Sequence, residues 1–307
     1  MDLDLYWDRI GVERPLRADL AALRAIHRAH LLAIPYENLD VQLARPVTTA
    51  VPAIFEKLVA RGRGGWCYEM NGLLGWALSE MGFRVTRSAG AVMREVRGDA
   101  AVGNHLVLRI DLDEGVYLAD AGFGDGPIDP IRVTPGAFTS HGFGYALERV
   151  DGEWWRLRND PSGGAASFDF NLAEADESVL AERCSVLQTS PESSFVQNLV
   201  VQRYTAAQRS TPGSTPGSAP RNTLRSTPRG MQERTTGAEN RTGFTALRGR
   251  VLRHITPGGS TERLLGSAEE LVATLGAEFA LDVPEAAVLW PRIVERHEQL
   301  FPADGNG

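Results

Sequence analysis

The chain has 307 residues, of which 43% are hydrophobic and 23% are charged, an ordinary composition for a globular protein with one or more packed cores. No apolar run approaches the ~20 residues that a membrane span needs, and the acidic first segment lacks the pattern of a signal peptide. The formal net charge of -7 argues against nucleic acid as the main partner. Since the sequence indicates neither a membrane span nor a signal peptide, we expect a cytoplasmic protein without membrane contact.

Only two cysteines occur, Cys67 and Cys184, which is too few for a disulfide framework in a chain of this size. Neither belongs to a Cys-x-x-Cys pair, and no His or Cys cluster has the spacing of zinc ligands. We therefore expect no metal site.

The first third of the chain is predicted to be helical. Residues 19–32 place apolar side chains and two histidines on one side at helical spacing, and this helix should end before Pro35. A second helix is predicted over residues 51–61. A third should begin near Cys67 and end at Gly82.

From residue 83 to about residue 187 the pattern changes to short alternating runs separated by Gly, Asp and Pro. This pattern is typical of antiparallel strands, and it allows a closed barrel. Residues 244–255 again resemble strand sequence. The end of the chain is predicted to be helical, with apparent capping boxes at residues 267–270 and 282–285.

Residues 206–243 contain few apolar side chains and many Ser, Thr, Pro, Gly and Arg residues. Such a segment buries too little apolar surface to offset the entropy of ordering it. We interpret it as a flexible surface insertion. The alternative is a basic arm for an anionic partner.

Cys67 has the surroundings of a nucleophile. Glycines precede it and an amphipathic helix follows it, which places the thiol at a helix N-terminus, where the dipole favours the thiolate. A cysteine taken alone is more often a small buried apolar residue. Cys184 has no comparable surroundings.

A base and its orienting group are predicted on a hairpin. If the turn is centred between Leu112 and Asp113, His105 lies opposite Asp120 with both side chains on one face, although a one-residue slip would separate them. A carboxylate that orients an imidazole beside a thiol reproduces the logic of a catalytic triad, with cysteine as the nucleophile. We expect Cys67, His105 and Asp120 to act together.

Two further features are open to more than one interpretation. Residues 122–127 are rich in glycine and can form either a backbone nest for a phosphate or pantetheine chain or an ordinary β-turn. Arg63 is expected to be a buried arginine paired with Glu37 or Asp40. His27 and His30 are expected to be packed helix residues and not part of the chemistry.

The chain resembles the arylamine N-acetyltransferase family in several motifs that occur in the family's order. These are Tyr6 with Arg9-Ile-Gly11, His30, Ile34-Pro-Tyr-Glu-Asn-Leu39, Arg63-Gly-Gly-Trp-Cys-Tyr-Glu-Met-Asn71, His105, Asp120-Ala-Gly-Phe-Gly124 and Ser190-Pro-Glu-Ser-Ser-Phe195. The resemblance extends over nearly the whole chain apart from the insertion. Tyr36 stands where the family usually has phenylalanine.

The resemblance implies an α+β fold with a cysteine-protease-like catalytic core. A helical bundle over residues 1–85 would carry the nucleophile, an antiparallel β-barrel over 86–190 would carry His105 and Asp120, and an αβ lid over 191–307 would hold the insertion. It also implies ping-pong transfer from acetyl-coenzyme A, through acetyl-Cys67, to an arylamine, arylhydrazine or hydrazide.

Further expectations follow from the same resemblance. Acetyl-coenzyme A would be a substrate, with no permanently bound cofactor, and the enzyme would serve xenobiotic metabolism as a monomer or weak homodimer. The donor is expected to bind at Gly122, Phe123, Gly124 and Gly126. The aromatic acceptor is expected to bind between the rings of Tyr36, Tyr68, Phe123 and Phe195.

Three other functions are compatible with parts of the pattern. A relative with the same triad could be an amide synthase that closes a macrolactam from a carrier-bound thioester. A papain- or transglutaminase-like hydrolase would use water as acceptor, but the sequence around Cys67 argues against it. A non-catalytic coenzyme A module would not need all three triad residues.

Overall fold

The computed structural model describes residues 1–15, 17–205 and 243–302. The predicted insertion at about 206–243 lies outside these ranges, apart from Gly243. Within them, no helix is both long and apolar enough to cross a membrane. The proposed domain boundaries at residues 85 and 190 stay predictions.

The predicted N-terminal helices are confirmed. The first five helices are α1 (Leu3–Ile10), α2 (Leu20–Ala33), α3 (Leu39–Gln42), α4 (Val51–Phe55), which continues as a π-helical turn over Glu56–Ala60, and α5 (Cys67–Glu80). Helix α2 begins where Asp19 accepts a hydrogen bond from the Ala22 N–H at 2.9 Å. It ends at Ala33, and the backbone of Ile34 is extended because Pro35 follows.

The strands of the described residues form two antiparallel sheets. Their bounds are β1 (Tyr36–Glu37), β2 (Arg84–Val92), β3 (His105–Leu112), β4 (Gly115–Ala119), β5 (Ile131–Arg132), β6 (Gly136–Ser140), β7 (Phe143–Arg149), β8 (Trp155–Arg158), β9 (Ser167–Phe170), β10 (Val200–Thr205), β11 (Gly243–Arg248), β12 (Val251–Thr256) and β13 (Gly259–Leu264). The large sheet has the order β5-β4-β3-β2-β9-β8-β7-β6. The small sheet has the order β1-β10-β11-β12-β13.

The predicted antiparallel strands are confirmed, but in the described residues the large sheet does not close into a barrel, because it ends at β5 on one side and at β6 on the other. Strand β5 contains only two residues, and Pro130 and Pro135 lie just outside it. Proline supplies no backbone N–H for a ladder, so β5 stays a very short edge strand. The sheet is therefore open.

The region predicted as strands also contains helices. These are α6 (Arg94–Arg97) with a 3₁₀ turn at Gly98–Ala101, and α7 (Glu177–Thr189); α8 (Ser194–Gln197) follows. The sequence pattern missed α7 because its buried side chains in the helix are only Leu180 and Cys184. Two apolar contacts over almost four turns give little periodicity.

The C-terminal part of the chain contains a hairpin and two more helices. The strand-like segment 244–255 folds as the β11–β12 hairpin, and α9 (Ala268–Phe279) begins at the predicted cap, where Ser267 accepts from the Glu270 N–H. The second predicted capping box is wrong. The 3₁₀ helix Pro284–Leu289 has Val283, not Asp282, as its N-cap, and no side chain makes a capping hydrogen bond there. Helix α10 (Trp290–Leu300) follows.

Apolar packing joins these elements around Cys67. The main core runs from α1, α2 and α5 into the large sheet, and a second core packs α9 and α10 against the small sheet. A third cluster surrounds the thiol and includes Trp66, Tyr68, Leu106 and Cys184. The thiol therefore lies where the helices and both sheets meet.

Candidate active site

Cys67 is the first residue of α5, and its side chain is buried. The backbone enters the helix at Trp66, whose N–H donates to Glu69 Oε2 across 3.2 Å. The Cys67 Sγ atom lies 4.0 Å from the carbonyl oxygen of Asn104, the residue before β3. The predicted position of the thiol at a helix N-terminus is confirmed.

The pKa of Cys67 depends on more than the helix terminus. Burial raises the pKa of the thiol well above its ordinary value, and the negative charge of Asp120 acts in the same direction. The backbone N–H groups of Leu106 and Tyr68 oppose this shift. The expectation of a favoured thiolate left out desolvation, which outweighs the helix N-terminus here. The thiol needs a neighbouring base to accept its proton.

His105 and Asp120 form the predicted pair. His105 Nε2 lies 2.8 Å from Asp120 Oδ2, and both residues are buried. The predicted register is wrong, however, because Leu112 pairs with Gly115, so the turn is centred one position later. This moves the pairing by two residues, which keeps His105 and Asp120 on the same face because side chains alternate with a period of two.

Asp120 is held by neighbours on three elements. Its Oδ1 atom accepts hydrogen bonds from Asn71 Nδ2 at 2.7 Å and from the Gly122 N–H at 2.8 Å, and its own N–H donates to His27 Nε2 at 3.1 Å. Burial alone would raise the pKa of this carboxyl, but His105, Asn71 and Gly122 hold the pKa below its ordinary value. The carboxylate is therefore charged and fixed in orientation.

Two glycines permit close contacts at the triad. A Cβ atom on Gly122 would lie 2.6 Å from Cys67 Cα, so this loop touches the backbone at the start of α5. A Cβ atom on Gly90, which pairs with His105 across β2 and β3, would lie 2.9 Å from His105 Cδ2. A side chain at either position would displace a triad residue.

A cavity of about 570 Å³ opens onto Cys67 and His105. Three of the predicted acceptor residues, Tyr36, Phe123 and Phe195, line it. The ring of Phe123 lies 5.9 Å from the His105 ring, measured between centroids. The small sheet covers this cavity with further side chains, among them Gln202, Phe244, Arg248 and Ile255.

The fourth predicted acceptor residue has a different environment. Within the described residues, the lining of this cavity does not include Tyr68. Its hydroxyl donates to the Gly103 carbonyl at 2.6 Å, and its ring lies 5.6 Å from the Trp66 ring. Tyr68 thus binds the segment before His105 and does not face the cavity.

The predicted donor loop is only partly exposed to the cavity. Gly122 and Phe123 line it, whereas the described lining does not include Gly124 or Gly126. Gly124 has a positive φ of 91° and packs beside Gln202 of β10. The Gly126 carbonyl accepts hydrogen bonds from two tyrosine hydroxyls, those of Tyr145 and Tyr204.

A cluster of five buried charged residues lies behind Cys67, and we call it the buried charge cluster. Arg63 Nη2 contacts Glu37 at 2.9 Å and Asp40 at 3.3 Å, so the predicted pairing is confirmed for both carboxylates. Lys57 Nζ contacts Asp40 and Glu69, each at 2.9 Å. Burial raises the pKa of Glu69 to about 7, and the nearby Glu37 carboxylate acts in the same direction, against the effect of Lys57.

Two residues that support the triad were not assigned this role from the sequence. Asn71 binds Asp120, and its four-residue spacing from Cys67 on one helix face could have indicated this. His27 is packed, as expected, but it also binds the backbone of Asp120 and lies 2.9 Å from the Ile128 carbonyl through Nδ1. No local pattern indicates a contact between residues so distant in sequence.

Comparisons with known proteins agree on one family. The family model described as N-acetyltransferase matches residues 19–211. An arylamine N-acetyltransferase from Mycolicibacterium smegmatis is 38% identical over 218 residues, which cover 66% of this chain and 76% of that protein. One from Mycobacterium tuberculosis is 41% identical over 161 residues, which cover 50% of this chain and 56% of that protein.

Solved structures extend the similarity to almost the full length. The arylamine N-acetyltransferase of Mycobacterium marinum in complex with CoA has a TM-score of 0.75 and 29% identity, covering 97% of this chain and 99% of that one. The M. smegmatis arylamine N-acetyltransferase has a TM-score of 0.76 and 30% identity, covering 96% and 98%.

Proposed function

The chain belongs to the arylamine N-acetyltransferase family, and we propose that it moves an acetyl group from acetyl-coenzyme A to an arylamine, arylhydrazine or hydrazide through acetyl-Cys67. One observation carries this proposal. The thiol of Cys67 and the ring of His105 face one cavity, while Asp120 binds the ring at 2.8 Å from the other side. The similar M. marinum structure contains CoA, which supports a coenzyme A thioester as donor.

The first half-reaction acetylates the thiol. Asp120 engages Nε2 of His105, so Nδ1 is the nitrogen that takes the proton of Cys67. The sulfur attacks the thioester carbonyl carbon, and backbone N–H groups at the start of α5 stabilise the oxyanion. The bond to the coenzyme A sulfur then breaks, and the proton on His105 passes to that sulfur as it leaves.

The second half-reaction regenerates the enzyme. A weakly basic arylamine is neutral near pH 7, so its nitrogen attacks the carbonyl of acetyl-Cys67 without prior deprotonation. His105 accepts the proton that the nitrogen loses and returns a proton to the Cys67 sulfur as the intermediate collapses. The charged Asp120 stabilises the imidazolium formed in both halves.

The cavity favours a planar acceptor. We assign the acceptor to the space beside Tyr36, Phe123 and Phe195, whose rings offer flat apolar surface next to the thiol. Gly122 and Phe123 would contact the thioester end of the donor. Tyr68, Gly124 and Gly126 would act through their neighbours, since each is bonded or packed elsewhere.

The test is to mix the purified protein with acetyl-coenzyme A and measure intact mass. We expect a gain of one acetyl group on the peptide that contains Cys67. Addition of an arylamine should remove that group and release coenzyme A continuously. Cys67→Ala should form no acetyl-enzyme and lose turnover, because no other group can replace the nucleophile.

Cys184→Ala is the matched control, since Cys184 is the other thiol of the chain, is buried, and has a pKa raised to about 12. This variant should acetylate like the unchanged protein. Acetylation of Cys67→Ala, or coenzyme A release that no arylamine or hydrazine stimulates, would contradict the proposed function.

A further inference from the structure

The hydroxyl group of Tyr36 has no hydrogen-bond partner among the described residues. Tyr36 lines the catalytic cavity together with Cys67 and is only 8% exposed. A buried tyrosine hydroxyl normally has a partner, because an unpaired donor loses its hydrogen bond to water and gains nothing in return. A ligand in the catalytic cavity can supply the missing partner.

Two other polar side chains that line this cavity are engaged by the protein itself. Asn104 Oδ1 accepts from the Val92 N–H at 2.8 Å, and its Nδ2 donates to the Val92 carbonyl at 3.3 Å. Gln202 Nε2 donates to Asp125 Oδ2 at 3.1 Å. These amide donors are therefore occupied, whereas the hydroxyl of Tyr36 is available to a ligand.

The backbone of β1 holds Tyr36 beside the nucleophile. Tyr36 forms a parallel bridge with Gly65, which lies two residues before Cys67 in the sequence. On its other side, Tyr36 pairs with Gln202 of β10. A Cβ atom on Gly124 would lie 3.6 Å from Tyr36 Cγ, so the ring packs against that glycine. These contacts leave the side chain little freedom to turn toward another partner.

The hydroxyl of Tyr36 is a proton donor and not a phenolate. Burial raises the pKa of Tyr36 well above its ordinary value, and the nearby carboxylates of Asp125 and Asp120 act in the same direction. The group therefore keeps its proton at neutral pH. A donating hydroxyl binds a lone pair on oxygen or nitrogen, so its ligand must carry such an acceptor atom close to the reacting groups.

Among the proposed acceptors, an acyl hydrazide carries the required atom. Its carbonyl group is attached directly to the N–N unit, so the carbonyl oxygen lies close to the terminal nitrogen that attacks acetyl-Cys67. An arylhydrazine has no oxygen at this position. The rings of Phe123 and Phe195 offer apolar surface to the aromatic part of either acceptor and cannot distinguish the two. A hydrogen-bond donor can.

We propose that the Tyr36 hydroxyl determines acceptor specificity by donating a hydrogen bond to the carbonyl oxygen of an acyl hydrazide. The inference rests on the proposed function, because it concerns the acceptor that reacts with acetyl-Cys67. An arylhydrazine leaves the hydroxyl unpaired, so it gains nothing from this group. Since the family usually has phenylalanine at this position, the donor is a feature of this chain.

The test compares benzhydrazide with phenylhydrazine, two acceptors that differ by a carbonyl group alone. Both react with the same acetyl-enzyme, so the ratio of their kcat/KM values reports the acceptor half-reaction and not the donor half-reaction. Tyr36→Phe removes one hydroxyl and keeps the ring. We expect it to lower kcat/KM for benzhydrazide about 5–10-fold relative to that for phenylhydrazine, because one hydrogen bond is lost.

Tyr68→Phe is the matched control, because it removes the same atom from another tyrosine near the thiol. The Tyr68 hydroxyl donates to the Gly103 carbonyl at 2.6 Å, and this residue is not part of the described cavity lining. The control should change both kcat/KM values by the same factor. It should also lower Tm, since a protein hydrogen bond is lost, whereas Tyr36→Phe should keep Tm because its hydroxyl has no described protein partner.

Two outcomes would overturn the inference. One is an unchanged ratio of the two kcat/KM values in Tyr36→Phe, and the other is an equal fall of that ratio in Tyr68→Phe. Failure of the proposed function is a different result, because acetyl-coenzyme A would then not acetylate Cys67. Calorimetric binding of both probes without a donor decides the inference in that case. Tyr36→Phe should weaken benzhydrazide binding about 5–10-fold, and an equal weakening of phenylhydrazine binding would overturn the inference.

Discussion

Asn71 connects three parts of the site through one side chain. Its Nδ2 donates to Asp120 Oδ1 at 2.7 Å and to the Leu106 carbonyl at 2.6 Å, while its Oδ1 accepts from the Ala121 N–H at 2.8 Å. Helix α5 therefore fixes both the strand that carries the base and the loop that carries the carboxylate. A residue in this role positions the triad without touching substrate.

Gly122 is the residue where added volume should harm the triad most directly. In Gly122→Ala the Cβ atom would lie 2.6 Å from Cys67 Cα and 2.7 Å from Asn71 Nδ2, so the loop must move away from α5. We expect the acetylation rate to fall about 100-fold, because a shift near 1 Å at reacting groups has that effect. Unfolding free energy should fall by about 1–3 kcal/mol.

Gly276→Ala is the matched control for this prediction. Gly276 lies within α9, and a Cβ atom there would meet nothing within 4 Å. This substitution should stabilise the protein by about 0.5–1 kcal/mol and leave acetylation unchanged, because alanine loses less backbone entropy in a helix. Denaturant unfolding and the rate of coenzyme A release measure both effects. Equal acetylation rates in the two variants would contradict the role given to Gly122.

The triad residues could be predicted because their signals are local. Glycines before a helix indicate that Cys67 lies at a helix N-terminus. A hairpin brings His105 and Asp120 together even though its predicted register is wrong. For Asn71, the only indication in the sequence was its four-residue spacing from Cys67 on the same helix. His27 could not be predicted, because its partner Asp120 is 93 residues away and no short pattern records that contact.

At the scale of elements, the buried charge cluster joins β1, α3, the π-helical turn and α5. Burial of one of its carboxyl groups makes the stability of the protein depend on pH. The pKa of Glu69 is raised by burial from its ordinary value of 4.5 to about 7. Between these values the folded protein keeps a proton that the unfolded chain has released, so stability falls as pH rises through this window.

Glu69→Gln should remove this dependence, because glutamine does not titrate. The loss of unfolding free energy between pH 5 and pH 7 should be smaller in the variant by about 1–3 kcal/mol. Chemical denaturation at both pH values measures it. The matched control is Glu13→Gln, which removes an exposed carboxylate and should keep the original dependence. An equal fall in Glu69→Gln and the unchanged protein would contradict the prediction.

Elements were predictable where the pattern of apolar residues was strong. The helices α2 and α5 match their predicted extents closely, since each buries side chains along most of its length. Helix α7 was missed because it buries so few. The open ends of the large sheet could not be predicted either, because alternating runs indicate strands but not which strands pair at the two edges.

At the scale of the whole molecule, Asn38 holds in place the segment from Phe195 to Val200, which lines the catalytic cavity. Its Nδ2 donates to the carbonyls of Phe195 at 2.8 Å and Asn198 at 2.9 Å, and its Oδ1 accepts from the Val200 N–H at 2.8 Å. These partners lie about 160 residues away in sequence, as the separations 157, 160 and 162 show. One buried amide therefore ties the helical part of the chain to the small sheet.

Asn38→Ala should loosen the segment from Phe195 to Val200. Three hydrogen bonds are lost and buried backbone groups are left unpaired, so the unfolding free energy should fall by about 1–3 kcal/mol. Because Phe195 lines the cavity, the KM for an arylamine should rise several-fold more than the rate of acetyl-enzyme formation falls. Asn171→Ala, which removes one local turn contact, is the control. Equal effects of both variants on the arylamine KM would contradict this role.

The motif that contains Asn38 could be recognised from the sequence, but the contacts that its residues make could not be predicted. Pro35 accepts from the Gly65 N–H, Tyr36 lines the cavity, Glu37 binds Arg63, and Asn38 binds the small sheet. Each role depends on a partner from another part of the chain. A family resemblance indicates that such a segment matters, whereas only the assembled molecule shows what it contacts.

Lys57 has a consequence for how the protein can be handled. It is the only lysine of the chain, its side chain is buried within the charge cluster, and the neighbouring carboxylates raise its pKa against the effect of burial. Amine-directed reagents acylate accessible, unprotonated amines, so the lysine of the folded protein should resist them. Its acylation would instead report that the chain has opened, which makes Lys57 a built-in chemical probe of unfolding.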